Sequence, residues 1–173
     1  MAKFYKFITI LIFTFFFLSN SKAEILFLDF NYVISQSEAG KKVNSNLKNQ
    51  LDQGIKKLKE EEKKLQNEEK KIIQQKKILS GEDYKAKIVS LRKKVTKLQN
   101  DRDKLLDSVS KKRKIARDKL LANLNPIMKE YMQQNNIKIV LDKKSILLAD
   151  EKLDITMSIL NLLNKKIKSI NLN

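Results

Sequence analysis

The sequence has no cysteine, no histidine and no tryptophan, and only three glycines and one proline in 173 residues. Without cysteine there is no disulfide scaffold, no thiol nucleophile and no cysteine-based zinc site. Without histidine the commonest general base and the commonest metal ligand are missing. So little glycine and proline leaves too few turns for an all-β fold. No glycine-rich phosphate loop is present, so nothing points to ATP use. Adjacent carboxylates such as Glu60, Glu61 and Glu62 lie in a heavily charged stretch, with no apolar pocket to raise a pKa. The serines have no histidine partner. The sequence therefore reads as a non-enzymatic chain with no cofactor and no metal.

What is present begins with an address. Lys3 and Lys6 give a positive start, and Phe7 to Leu18 is an apolar run broken only by Thr9 and Thr14. Ser21-Lys22-Ala23 then places small residues at the two positions that define cleavage. This is the pattern of a secretory signal peptide, too short for a bilayer span of about 20 residues. Cleavage is expected after Ala23, which makes the mature chain, 24–173, an exported one. Taking Lys3, Lys6 and Lys22 from the 37 basic residues leaves 34 against 20 acidic ones, so the net charge falls from +17 to +14. Six of the eight phenylalanines leave as well. Only Phe27, Phe30, Tyr32, Tyr84 and Tyr131 remain as large rings, so a small core is expected.

The mature chain has three regions. Residues 24–34 are apolar and partly β-favouring, and read as a strand running into a turn. Residues 38–124 are charged and periodic at helical spacing. Residues 137–142 read as a second strand, Lys143-Lys144-Ser145 as a turn, and Ile146-Leu147-Leu148-Ala149 as a third strand. A last helix is expected over about Ile155–Lys166, with Asp154 or Thr156 as its N-cap. The body is thus 24–37 with 125–173, and the arm is 38–124.

The middle region is the most informative. Leu51, Leu58, Leu65, Ile72 and Leu79 recur every seven residues, as do Tyr84, Leu91, Leu98 and Leu105. Ile88, Val95 and Val109 lie on the adjacent seam. Heptad spacing puts each set on one helix face. Between the runs, Gly81 suits a helix C-cap, and Ser80 or Asp83 can cap the next helix. Pairing Leu79 with Tyr84, Ile72 with Leu91, Leu65 with Leu98 and Leu58 with Leu105 gives one constant index sum, 163. It centres the fold-back beside Gly81, with the tip near 80–83. The competing arrangement is one continuous helix in a parallel coiled coil. The fold class expected is α+β and mostly α: a long antiparallel helical hairpin projecting from a small β-containing body. About 50 body residues are near the limit for an independent core, so oligomerisation is expected.

The charge falls mostly on the arm. Lys76, Lys77, Lys85 and Lys87 near the tip are candidates for attracting acidic partners, anionic lipid or lipopolysaccharide. The plainer reading of any one of them is a solvated helix face. Nucleic acid is not implied. Only Arg92, Arg102, Arg113 and Arg117 are arginines, and there is no aromatic stacking platform. Off the seam, Ile73, Ile78, Val89 and Leu106 are candidate greasy contacts for a disordered chain. Ile115 and Leu121 read instead as packing near the arm base.

Three ordered elements resemble the Skp/OmpH family of periplasmic chaperones. They are Ile25–Phe30 followed by Ser37-Glu38-Ala39-Gly40-Lys41, the charged hairpin with Leu79-Ser80 at its tip, and a C-terminal set. That set runs Ile139-Val140-Leu141-Asp142-Lys143, Leu148-Ala149-Asp150 and Leu153-Asp154-Ile155-Thr156. The resemblance covers essentially the whole mature chain. It implies a homotrimer with a β-rich body and three helical tentacles around a cavity. It also implies an ATP-independent holdase for unfolded outer-membrane β-barrel proteins. The high lysine content and the charged second seam of the first arm helix depart from the family. The alternative is an exported coiled-coil structural adaptor that binds anionic envelope surfaces.

Overall fold

The computed structural model describes residues 24–172. The expected signal segment lies outside them. Strand β1 spans Glu24–Leu28, helix α1 Phe30–Gln36, α2 Glu38–Gln74, α3 Gly81–Gln134, strand β2 Ile137–Asp142 and α4 Thr156–Lys166. Short 3₁₀ turns lie at Gln75–Lys77, Lys143–Ser145 and Glu151–Leu153. At roughly 1.5 Å per residue, α2 and α3 extend about 55 and 80 Å. They run antiparallel within one chain, so the continuous helix of a parallel coiled coil does not form.

β1 and β2 pair in parallel, with Ile25 opposite Ile139, Leu26 opposite Val140 and Phe27 opposite Leu141. The main core lies beneath them. Leu28, Val33, Leu124, Ile159 and Leu163 are fully buried there, drawn from β1, α1, α3 and α4. The strand-to-turn reading of 24–34 is corrected beyond Leu28. Asp29 accepts the Tyr32 N–H at 2.8 Å and starts a helix that buries Val33 and Ile34. The third strand is also corrected. Asp142 and Asp150 bond the N–H groups of Lys144 and Lys152, making 3₁₀ turns on both sides of Ile146–Ala149. The position beside β1 is taken instead by Asp154 and Ile155, whose N–H donates to Phe27 O at 2.9 Å. Leu147 and Leu148 are left almost fully exposed in an irregular loop.

The arm enters and leaves this core through different devices. At its start, buried Ser37 caps α2. Its hydroxyl accepts the Gly40 N–H at 3.0 Å and donates to Ile34 O at 3.0 Å. α1 and α2 meet so closely that a Cβ on Gly40 would overlap the Ile34 carbonyl oxygen. That close approach is the physical content of Ser-Glu-Ala-Gly-Lys: a cap, a helix-favouring carboxylate in the first turn, a fully buried methyl and a position with no room for a side chain. At its end, α3 passes Pro126 without stopping and continues to Gln134. Proline removes one helical donor, but Leu120, Leu124, Ile127 and Met128 face the core on both sides of it. Burial on one face thus outweighs the local loss. The turn into β2 uses Asn136 at φ 53°, a left-handed conformation that asparagine tolerates.

At the far end the Gly81 C-cap expectation is overturned. α2 gives way to a 3₁₀ turn at Gln75, and Gly81 is the first residue of α3. Ser80 is the N-cap, accepting the Asp83 N–H at 3.0 Å while its hydroxyl donates to Asp83 Oδ2 at 2.7 Å. Gly81 is not in the left-handed region, and a Cβ there meets nothing within 4 Å. The two glycines should therefore respond oppositely to alanine. Gly40→Ala should destabilise the protein by about 2–3 kcal/mol through backbone overlap. Gly81→Ala should be neutral or stabilise it by up to about 1 kcal/mol. Urea unfolding of the two variants checks both signs.

Candidate binding surface

The arm is packed in two short clusters rather than along its whole seam. At the root, Val43 and Leu47 of α2 are buried with Val109 and Ala116 of α3, with Leu51 and Leu105 partly buried against them. Further out, Leu65, Ile72 and Leu91 are buried, with Tyr84, Ile88 and Leu98 packed against them. At the outer edge of the root cluster Leu105 lies against Gly54, where a Cβ would collide with its methyl groups. Leu58 and Leu79 are half-buried and belong to neither cluster. Cross-arm polar contacts are few. Lys94 bonds Glu68 at 2.7 Å and Lys112 bonds Gln50 at 3.0 Å. An arm held by two thin clusters and a few exposed pairs sits at the low-stability end of a structure.

The four off-seam residues are all exposed. Ile78 is 82% exposed in the tip turn, Ile73 is 57% exposed, and Val89 and Leu106 lie on the outer faces of α3. Leu121 packs against the main core, as expected for the arm base, but Ile115 is exposed. Ile115 is one residue before buried Ala116, so the helix turns it off the packed face. Val95 is likewise exposed rather than on the seam. It helps line an apolar-floored groove of about 710 Å³ between the arm helices, with Leu65, Ile88, Leu91 and Leu98. Glu62, Glu69, Arg92 and Arg102 also line it. Sequence reasoning missed this groove, because residues assigned wholly to the seam also present part of their surface outward. The weak second seam, with Glu62 and Glu69 where apolar residues would close it, was the available signal.

Of the tip lysines, Lys76 sits over the Tyr84 ring at 6.0 Å, a cation–π distance. Lys85 lines a shallow surface with Val89 and Lys93. Lys76, Lys77, Lys85 and Lys87 are all exposed. The tip thus interleaves positive charge with isolated apolar side chains. Among the described residues no group of acidic side chains is arranged to hold a metal ion.

The sequence matches the model of the family described as "Outer membrane protein (OmpH-like)" over residues 24–163. The chain belongs to the OmpH-like family. No curated protein matches it. Among solved structures it is similar to an OmpH-like protein of Caulobacter crescentus CB15, whose suggested role is that of an outer membrane chaperone. The two are 22% identical, the match covers 85% of this chain and 87% of that one, and the TM-score is 0.79. At that identity the likeness speaks for the fold. The mostly helical α+β architecture of this OmpH-like chain agrees with the class expected from its heptads.

Charged contacts fasten the body from which the OmpH-like arm projects. Burial pushes the Asp154 carboxyl up, but hydrogen bonds from the Lys143 ammonium at 2.7 Å and the Thr156 N–H at 2.9 Å hold it below its ordinary value. Lys143 is in turn held above its own by that bond. N-cap status passes to Ile155, yet Asp154 does accept a backbone N–H at the start of α4. Thr156 accepts the Asp29 N–H at 2.9 Å, which joins β1 to α4. A lowered carboxylate stabilises the fold above its unfolded-state pKa and stops doing so as pH falls through its folded value. Asp154→Ala should therefore cost about 1–2 kcal/mol at neutral pH. The gap from wild type should narrow as pH falls below the ordinary aspartate range, about 4, and through the lower folded-state value. Thermal unfolding across that range measures it, and a gap constant with pH would remove the carboxylate from the account.

Proposed function

We propose that this protein is an ATP-independent periplasmic holdase that keeps unfolded outer-membrane β-barrel proteins from aggregating. Family membership and the suggested chaperone role of the Caulobacter neighbour support a chaperone in general terms. The observation that carries the finer reading is the arm itself. It is a long, thinly packed, lysine-rich hairpin with single exposed apolar side chains at Ile73, Ile78, Val89 and Leu106 and an open apolar groove. Diffuse positive charge draws an unfolded chain in, and scattered weak apolar contacts hold it without specifying its sequence. The domain roles follow: residues 24–37 and 125–173 assemble the body, and 38–124 hold the client.

Assembly as a homotrimer is part of the proposal. One face of the small sheet presents Ile25, Ile139 and Leu141 to solvent in the single chain, and Leu147, Leu148 and Met157 are exposed as well. Exposed apolar side chains in such number on a small body fit a subunit interface. Three arms leaving one shared body would enclose a cavity. Lysine repulsion would keep the empty arms apart. Anionic lipid or lipopolysaccharide fits the same charged surface as a secondary partner.

The test is suppression of aggregation of a urea-unfolded outer-membrane β-barrel protein diluted into buffer. Wild type should protect at low salt and protect less at about 1 M salt, where the Debye length shrinks to about 3 Å. Replacing Ile73, Ile78, Val89 and Leu106 by serine should reduce protection at every salt concentration. Replacing Lys76, Lys77, Lys85 and Lys87 by glutamine should reduce it mainly at low salt. Lipid binding without protection of any client would favour an envelope adaptor instead.

A further inference from the structure

Beyond α4 the chain does not trail away. Residues 167–172 run along the root of the arm. Ile170 packs against both the main core and the root cluster, and Leu172 packs against the root cluster formed by Val43, Leu47, Val109 and Ala116. The polar contacts bind the same tail to both arm helices. Lys168 Nζ meets Glu38 Oε1 at 2.9 Å on the first turn of α2, and Lys119 Nζ of α3 donates to the Asn171 carbonyl at 2.7 Å. The Glu38 carboxyl is held below its ordinary value by that lysine. The tail therefore touches α2, α3 and the body core within six residues. It lies past residue 163, where the family match ends.

We propose that residues 167–172 are a detachable strap that ties the two arm helices to the body at the arm root. The root is where such a tie has most effect. α2 starts at a close junction with α1, and beyond Ala39 it is joined to α3 there by the small buried cluster of Val43, Leu47, Val109 and Ala116. The strap adds Ile170 and Leu172 to that small cluster. None of its side chains is fully buried: Ile167, Ile170 and Leu172 are partly buried, and its contacts through Lys168 and the Asn171 carbonyl are exposed. It can thus leave while the body stays folded, and its departure frees the root helices to separate. The angle of the arm is set by a weak contact from the chain's own C-terminal segment.

Hydrogen exchange on the intact mature protein tests this. Three chains are compared: wild type, a form ending at Lys166, and Ile170→Ser with Leu172→Ser. In wild type, amides of residues 168–172 should exchange faster than those of Leu28 and Leu124. In both altered chains, amides of Val43–Leu51 and Val109–Ala116 should exchange roughly tenfold faster than in wild type. Amides around Ile72 and Leu91, in a cluster the tail does not touch, should be unchanged. Unchanged exchange at the root would overturn the proposal. So would equal acceleration at Leu28 and Leu124, because the tail would then be an integral part of the body core. If the shortened chain does not fold, the double serine variant decides between the same outcomes.

Discussion

The parallel pairing of β1 with β2 is the constraint on which the rest of the structure depends. Two adjacent parallel strands cannot be joined by a tight turn, and the chain between them must leave the sheet and come back. Here it does so over residues 29–136, and nearly all of that crossover is the arm. The out-and-back path is thus fixed at its base, by hydrogen bonds from Glu24–Leu28 to Ile137–Asp142 and by Ile155 N–H bonding Phe27 O on the other side. Tight packing along the arm is then not required to hold it as a hairpin. α2 and α3 can carry lysine and glutamate on most of their surface, because the body already holds their near ends together.

That division of labour accounts for where stability is concentrated. The fully buried side chains Leu28, Val33, Leu124, Ile159 and Leu163 lie in the body, drawn from four elements. Three of these elements are tied again by the Asp29, Thr156, Asp154 and Lys143 network. Outward from Gly40 the packing thins to two clusters with half-buried Leu58 in neither of them. On the proposed function, a surface that holds many unrelated disordered chains gains from being soft and weakly specific. A firm body with a soft arm meets both needs in one chain.

Much of this was legible in the residues. The seven-residue spacing from Leu51 to Leu79 and from Tyr84 to Leu105 gave two helices and their antiparallel pairing, because burial of one stripe imposes that period. Ile137–Asp142 was legible from its β-branched run. What was not legible depended on contacts distant in sequence. Ile146–Ala149 looks like a strand, but the place beside β1 is taken by Asp154 and Ile155, and no local signal shows that. The second half of 24–34 looks like a turn after the strand until the Asp29 cap is seen to have a buried Val33 and Ile34 to support it. Gly81 suggested a C-cap by type, yet the cap that forms is Ser80, and the backbone at Gly81 is ordinary. On the arm, Ile73, Ile78, Val89 and Leu106 could be singled out because they break the heptad. The groove beside Val95 had only a fainter signal, the charged second-seam positions Glu62 and Glu69 that line it.

The proposed function requires that several bodies combine and that their arms enclose one client. Sedimentation of the mature chain with and without an unfolded outer-membrane β-barrel protein measures both directly. The account predicts a particle of three times the chain mass that takes up one client and sediments as a single larger complex. A monomer that leaves the client to pellet on its own would contradict it.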